Sequence, residues 1–185
     1  MGRRYGGAVT SDGDLRIEPL SGRSLVLEPL RVEHAEEMAP LMNHPALHNF
    51  IGGSPESLEE LTQRYARQAP GHSPDGSQHW LNWIVRRTDT GEAVGTVQAT
   101  VARPAPGASA DQRSAEVAWV IARPHQRHGY AREAAHLMAT WLRSNGVGVL
   151  VAHIQPEHVA SAGVARALGL TPTDVIVDGE VRWQG

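Results

Sequence analysis

A strand, a glycine turn and an amphipathic helix follow one another without interruption between residues 114 and 145, and this unit constrains the fold more than any other feature. Residues 114–122 are nearly all apolar, which is typical of a strand covered on both faces. A helix is predicted from Gly129 to the stop signal Asn145-Gly146. Its buried stripe is formed by Tyr130, Ala134, Leu137, Met138 and Trp141. Such a unit indicates an α/β fold.

The rest of the chain alternates between strand and helix patterns. Strands are predicted at 24–30, 80–86, 93–101 and 147–154, and a final hairpin pairs 175–177 with 181–183 across Asp178-Gly179. Trp80 and Trp83 are interpreted mainly as core residues, with the wall of a cleft as the alternative. Loops are expected at 69–77, which we predict to be flexible, and at 103–112.

Three further helices are predicted from apolar spacing and capping signals. The first covers 32–42, and Pro40 should end or kink it. The second begins with Ser54 as N-cap and Pro55 at the first helical position. The third is a short helix ended by Gly169, with a stripe formed by Ala160, Val164, Ala167 and Leu168.

Length and repeat structure favour one domain. The 185 residues are enough for a single sizeable core, and the chain has no internal repeat. Residues 1–14 are rich in glycine and polar residues, which predicts a flexible N-terminal tail. The folded domain is therefore expected over residues 15–185.

The composition excludes several kinds of chemistry. The chain has no cysteine, and all 17 basic residues are arginine, so thiol nucleophiles, zinc–thiolate sites and Schiff-base lysines are absent. With a net charge of -3, the chain lacks the excess of positive charge that is typical of nucleic-acid-binding proteins. No apolar stretch approaches the ~18 residues of a membrane span. The default expectation is a cytoplasmic protein that binds neither nucleic acid nor membrane.

The segment Gln126-Arg-His-Gly-Tyr-Ala131 has the features of an anion site. The first turn of a helix offers backbone N–H groups without partners, and the helix dipole favours negative charge there. Gly129 and Ala131 would allow a phosphate to approach the main chain, and Arg127 and His128 could add charge. The alternative is a plain turn whose glycine serves geometry alone.

Two segments carry a resemblance to a known family. Residues 115–135 (AEVAWVIARPHQRHGYAREAA) resemble the acyl-CoA-binding core of the GNAT superfamily of N-acyltransferases. Residues 156–170 (PEHVASAGVARALGL) resemble the next motif of that superfamily at the expected distance. The chain is most similar to the branch of ribosomal-protein N-terminal acetyltransferases and their small-molecule relatives. The resemblance implies a twisted mixed central sheet with splayed middle strands, 114–122 and 147–154, flanked by helices.

The resemblance also implies a set of binding residues for acetyl-CoA or another acyl-CoA, without any metal. The pantetheine arm would lie in the splay and bind main chain near Val120 and Ile121, with His158 and Ser161 nearby. The pyrophosphate would be held by Gln126, Arg127, His128, Gly129, Tyr130 and Ala131. Relatives commonly have Gly at the position of Arg127 and Asn at that of His158.

Catalysis requires a proton acceptor for the amine and a donor for the departing sulfur. Glu116, among apolar neighbours in a strand beside the thioester, would be partly desolvated and suited as a base; the alternative is a structural carboxylate. Several branches of the family place a Tyr acid where this chain has Ala165, so Ser161 becomes the candidate donor, or else it caps a helix. His125, His128 and His153 are interpreted as surface or packing residues.

The predicted function is therefore transfer of a small acyl group to a primary amine by direct attack in a ternary complex. The acceptor would be a small-molecule amine or a protein N-terminus. The alternative is a module that binds acyl-CoA or another ligand without turnover. Because homodimers are common among relatives, the resemblance leaves room for one.

Overall fold

A computed structural model describes residues 14–44, 47, 55–103 and 113–185. Within these residues the helices are α1 (His34–Met42), α2 (Leu58–Gln68), α3 (Tyr130–Ser144) and α4 (Val159–Ala167), with a short 3-10 turn at Arg123–His125. The strands are β1 (Leu20–Ser21), β2 (Leu25–Pro29), β3 (Gln78–Arg87), β4 (Ala93–Ala102), β5 (Arg113–Ile121), β6 (Val147–Ile154), β7 (Thr171–Val177) and β8 (Glu180–Gln184).

The strands form one mixed sheet in which two central strands part from each other. The order is β1-β2-β3-β4-β5-β6-β8-β7, and all neighbours are antiparallel except β5 and β6. These two pair from Arg113 opposite Val147 to Glu116 opposite Val151 and share no pair beyond that point. The far end of β6 pairs with β8 instead. The predicted α/β fold with a mixed sheet and splayed middle strands is confirmed.

The sheet is covered by helices on both faces. Helix α3 buries Ala134, Ala135, Met138 and Leu142 in the main core, and its Trp141 ring meets Trp83 of β3 edge-on at 5.6 Å. On the opposite face, α1 and α2 enclose a smaller core formed by Leu30, Ala35, Met38, Leu61, Tyr65, Ile84 and Ala93. Trp83 and Ile84 serve different cores because adjacent strand residues point to opposite faces.

Strand β5 differs from its prediction. It was expected to be covered on both faces, but Ser114, Glu116 and Ala118 are exposed and alternate with the buried Ala115 and Val117. The apolar residues of one face pack under α3, whereas the splay leaves the other face open. This open face of β5 lines one side of the cleft between β5 and β6.

Two helix boundaries also need correction. Pro40 does not end α1, which continues to Met42; a proline this near the helix end removes a single hydrogen bond at an exposed position. Helix α2 begins at Leu58 rather than at Pro55, because Ser57 and Glu60 form a reciprocal capping box. The predicted N-cap Ser54 lies outside the described residues.

The stripe of α4 is displaced from its prediction. Its buried residues are Ala162, Val164 and Ala165, followed by the buried Leu168, and Ala160 and Ala167 are exposed. The helix is nearly all small and apolar, so its composition does not set its rotation, and docking against the core does.

The loop expected to be flexible is organised by a turn. Asp75 accepts hydrogen bonds from the Ser77 amide (3.0 Å), the Ser77 hydroxyl (2.8 Å) and the Ser73 hydroxyl (2.5 Å). The bond from Ser73 and those from Ser77 lower the pKa of Asp75 to about 2. Most of the predicted tail, and residues 104–112 of the second loop, lie outside the described residues. None of the described helices is long and apolar enough to cross a membrane.

Candidate active site

A cleft of about 480 Å³ opens where β5 and β6 part. Glu116 and Ala118 of β5 lie on one side, and His153 of β6 lies across the gap. His158 and Ser161 line it from the start of α4. The structure thus brings predicted residues from both motifs to one cavity.

The free edge of β5 turns main-chain groups toward the gap. Residues of an antiparallel strand bond alternately to the neighbour on one side and to the other side. The Ala122 amide donates to the Val94 carbonyl of β4 (2.9 Å), so by alternation Val120 also bonds to β4. The groups of Val117 and Trp119 therefore point toward β6. The last parallel pair, Glu116 opposite Val151, is closed by the Val117 amide donating to the Val151 carbonyl, so the Val117 carbonyl and the main-chain groups of Trp119 face the open splay.

This alternation changes the expected contacts of the pantetheine arm. Val120 lines the cleft, but its main-chain groups face β4, so its prediction as a main-chain ligand needs correction. The Ile121 carbonyl points to the splay side and already accepts a hydrogen bond from the Gln126 side chain (2.9 Å). Gln126 therefore ties the glycine turn to the end of β5.

The glycine turn, residues 126–131, presents a row of unpaired backbone donors. Arg127 (φ 66) and Gly129 (φ 81) are both left-handed, and alternating φ signs make successive N–H groups converge on an anion. The six N–H groups from Arg127 to Arg132 donate to no described protein group, and the first bond of this helix end runs from the Glu133 amide to Gly129 (3.1 Å). The turn can hold a phosphate group at the positive end of α3.

Some side chains of the turn contact neighbouring groups of the same segment. The His128 ring stacks on Tyr130 with centroids 5.4 Å apart, and its Nδ1 lies 3.2 Å from the His125 carbonyl. Ala131 packs against the core. Arg127 is exposed and forms no ion pair within the described part of the chain. Its left-handed φ explains why glycine suits this position in related sequences.

Glu116 faces the cleft, but its expected desolvation is wrong. Its side chain is 64% exposed, because the splay opens this face of β5 to solvent. Its Oε1 lies 3.3 Å from Nδ1 of His153, whose side chain is only 22% exposed. His153, predicted to be a surface or packing residue, is thus the neighbour of the candidate base.

Helix α4 brings two of the predicted residues to the cleft. His158 occupies the N-cap position, and burial lowers the pKa of its imidazole. Ser161 is the third helical residue and therefore not the cap of α4. Ala165, which replaces the Tyr of several relatives, is fully buried in the core. Among the described side chains, no group of three His, Asp or Glu residues could hold a metal ion.

Sequence reasoning missed the far wall and floor of the cleft. Asn82 of β3, Gln98 and Thr100 of β4 and Arg64 of α2 all line it. One signal was present, because Thr96, Gln98 and Thr100 alternate with buried apolar residues along β4 and this period marks a polar face. On β3, the alternative interpretation of Trp83 as a cleft wall holds beside its place in the core, but Asn82 and the residues of α2 carried no comparable signal.

Comparisons with known proteins agree with this geometry. A family model described as an acetyltransferase (GNAT) domain matches residues 24–171. Among solved structures, a GNAT-family acetyltransferase from Bacillus anthracis is 15% identical with a TM-score of 0.68, over 90% of this chain and 95% of that one. An acetyltransferase from Agrobacterium tumefaciens str. C58 is 22% identical with a TM-score of 0.66, over 100% and 99%.

RimL, a ribosomal alpha-N-protein acetyltransferase solved in complex with coenzyme A, is 16% identical with a TM-score of 0.70, over 91% and 97%. At such identities the likeness of these structures shows the fold. No curated protein matches the sequence significantly.

Proposed function

Because the chain belongs to the GNAT acetyltransferase family, we propose that it transfers an acetyl or another small acyl group from acyl-CoA to a primary amine. The observation that carries this proposal is the row of six unpaired N–H groups from Arg127 to Arg132 beside the open edge of β5. A diphosphate is the anion suited to such a row. The RimL structure, which shares the fold, was solved with coenzyme A.

The acyl donor would lie along the splay. Its pyrophosphate would bind the N–H groups of the glycine turn, with Arg127 adding charge. The pantetheine amides would pair with the free carbonyl of Val117 and the main-chain groups of Trp119, replacing the missing strand partner. The thioester would then enter the cleft between Glu116 and Ser161.

The residues in the cleft support direct attack in a ternary complex. The amine nitrogen attacks the thioester carbon, and its proton passes to Glu116, which His153 holds in place. The C–S bond breaks as the sulfur takes a proton from the Ser161 hydroxyl, which water then reprotonates. A chain without cysteine or lysine lacks the usual nucleophiles for an acyl-enzyme.

The acceptor is a small-molecule amine or a protein N-terminus. The name of RimL supports the second class, and the cytoplasmic location that the sequence suggests belongs to the same proposal.

A thiol-release assay with acetyl-CoA and a panel of amines and amino-terminal peptides tests the proposal. We expect thiol release that depends on the acceptor. Binding of CoA in calorimetry without thiol release for any acceptor would instead favour the binding module.

A further inference from the structure

The cleft continues into a second cavity of about 260 Å³, here called the side chamber. Cleft and side chamber share Arg64, Gln68, Asn82, Gln98 and Thr100 in their walls. The two cavities therefore adjoin, and together they extend from the splay, across β4, to the region between α2 and β3.

The two ends of this space carry opposite charges. Glu116 and Glu180 line the end at the splay, and Arg64 and Arg67 of α2 line the side chamber. Arg64 is already paired, with Nη2 2.6 Å from Glu56. Arg67 is exposed and forms no ion pair with a described carboxylate, so its charge is available to a ligand.

The floor between the two ends is built to bind polar groups. Asn82 is only 8% exposed, and its Nδ2 donates to the Trp80 carbonyl (3.2 Å). Its Oδ1 has no donor among the described residues. Gln98 lies directly opposite Asn82 on β4. Two side-chain amides in one row match the donors and acceptors of a ligand such as a peptide.

The strand register gives the expected length of the acceptor. Glu116 of β5 lies opposite Thr100 of β4, and Thr100 lies opposite Trp80 of β3. Trp80 and Arg67 line the side chamber together, two strands away from Glu116. Resting on the proposed acyl transfer, we propose that the acceptor is a primary amine with an anionic group about 10 Å from its nitrogen, two strand spacings of ~4.8 Å. The amine binds beside Glu116, and the anionic group binds Arg67.

Matched acceptors test this inference. A primary amine and an anionic group at this separation occur in amino-terminal peptides with an acidic third residue and in long ω-amino acids. Thiol release from acetyl-CoA is measured with Ser-Ala-Glu amide against Ser-Ala-Gln amide, and with 8-aminooctanoate against octylamine. We expect about a 10-fold higher kcat/KM for the acidic member of at least one pair, the scale of one charge-assisted hydrogen bond at an accessible site. The pair that shows it identifies the source.

Variants of Arg67 test whether this residue causes the preference for acidic acceptors. Arg67→Ala should abolish the preference mainly by raising KM, and Arg67→Glu should reverse it; both are surface changes near the end of a helix. Arg16→Ala, an exposed arginine outside both cavities, should keep the wild-type preference. Equal use of acidic and neutral acceptors, or a preference that survives Arg67→Ala, overturns the inference alone. Absence of thiol release with every acceptor overturns the proposed function as well.

Discussion

At the scale of single residues, Glu116 is the side chain whose role depends most on its surroundings. It is exposed, so its fitness as a base comes from position beside His153 rather than from burial. Glu116→Gln keeps the shape and removes the proton acceptor. We expect turnover to fall by roughly 10²–10⁴-fold with unchanged acyl-CoA affinity and an altered pH dependence. Steady-state kinetics and calorimetry check this, with Ser114→Ala on the same face as control. Wild-type turnover and pH profile in Glu116→Gln would assign it a structural role.

Also at the residue scale, a substitution of Gly129 tests whether the glycine turn binds the phosphates of CoA. Its φ is +81, and no atom lies within 4 Å of an added Cβ, so a side chain there meets strain but no protein. Gly129→Glu should weaken CoA binding by several kcal/mol through clash and like-charge repulsion. Gly71 has φ +80 and equally free space, so Gly71→Glu carries the same strain away from the turn. Calorimetry should show a loss of affinity in the first variant only. Equal affinities in both folded variants would exclude the turn as the CoA site.

At the scale of elements, Glu133 fastens α3 to β2. Its carboxylate accepts hydrogen bonds from the Ser24 amide (2.8 Å), the Ser24 hydroxyl and the Leu25 amide (3.2 Å). Burial alone would raise its pKa, but these hydrogen bonds outweigh burial and lower it below the ordinary 4.5. A lowered carboxyl pKa stabilises the fold above the unfolded-state pKa, and this stability is lost as the pH falls through the folded-state value.

Glu133→Gln should therefore lower the free energy of unfolding at neutral pH by about 1–3 kcal/mol, the cost of weakening charged hydrogen bonds. The difference from wild type should shrink as the pH falls below the ordinary carboxyl range. Denaturant unfolding across pH measures it. Glu36→Gln is a control, because Glu36 is an exposed first-turn glutamate of α1. If the difference in unfolding free energy between Glu133→Gln and wild type did not change with pH, the lowered pKa of Glu133 would not contribute to stability.

At the scale of the whole molecule, the pairing between β5 and β6 is incomplete, because the two strands part at the splay. Only four residue pairs join β5 to β6, so a ligand along the gap should stabilise the folded state. CoA at about 100 times its Kd should add roughly 2.7 kcal/mol to the free energy of unfolding. Hydrogen exchange gives an internal control. The amide of Trp119 should gain protection on CoA binding. The amide of Val117, already bonded to β6, and those of Glu116 and Ala118, already bonded to β4, should not. Uniform changes along β5 would contradict the proposed pose.

The sequence by itself determined the local units of this protein, because short-range signals specify them. The strand, turn and helix from 113 to 144 are one example. The Asp178-Gly179 turn, with φ of 50 and 83, is another, since both residue types tolerate the left-handed region. Tertiary structure alone decided the exposure of Glu116, the rotation of α4 and the approach of His153. Glu116 and His153 are 37 residues apart, and their meeting depends on strand register and on where β5 and β6 part, which no local pattern encodes.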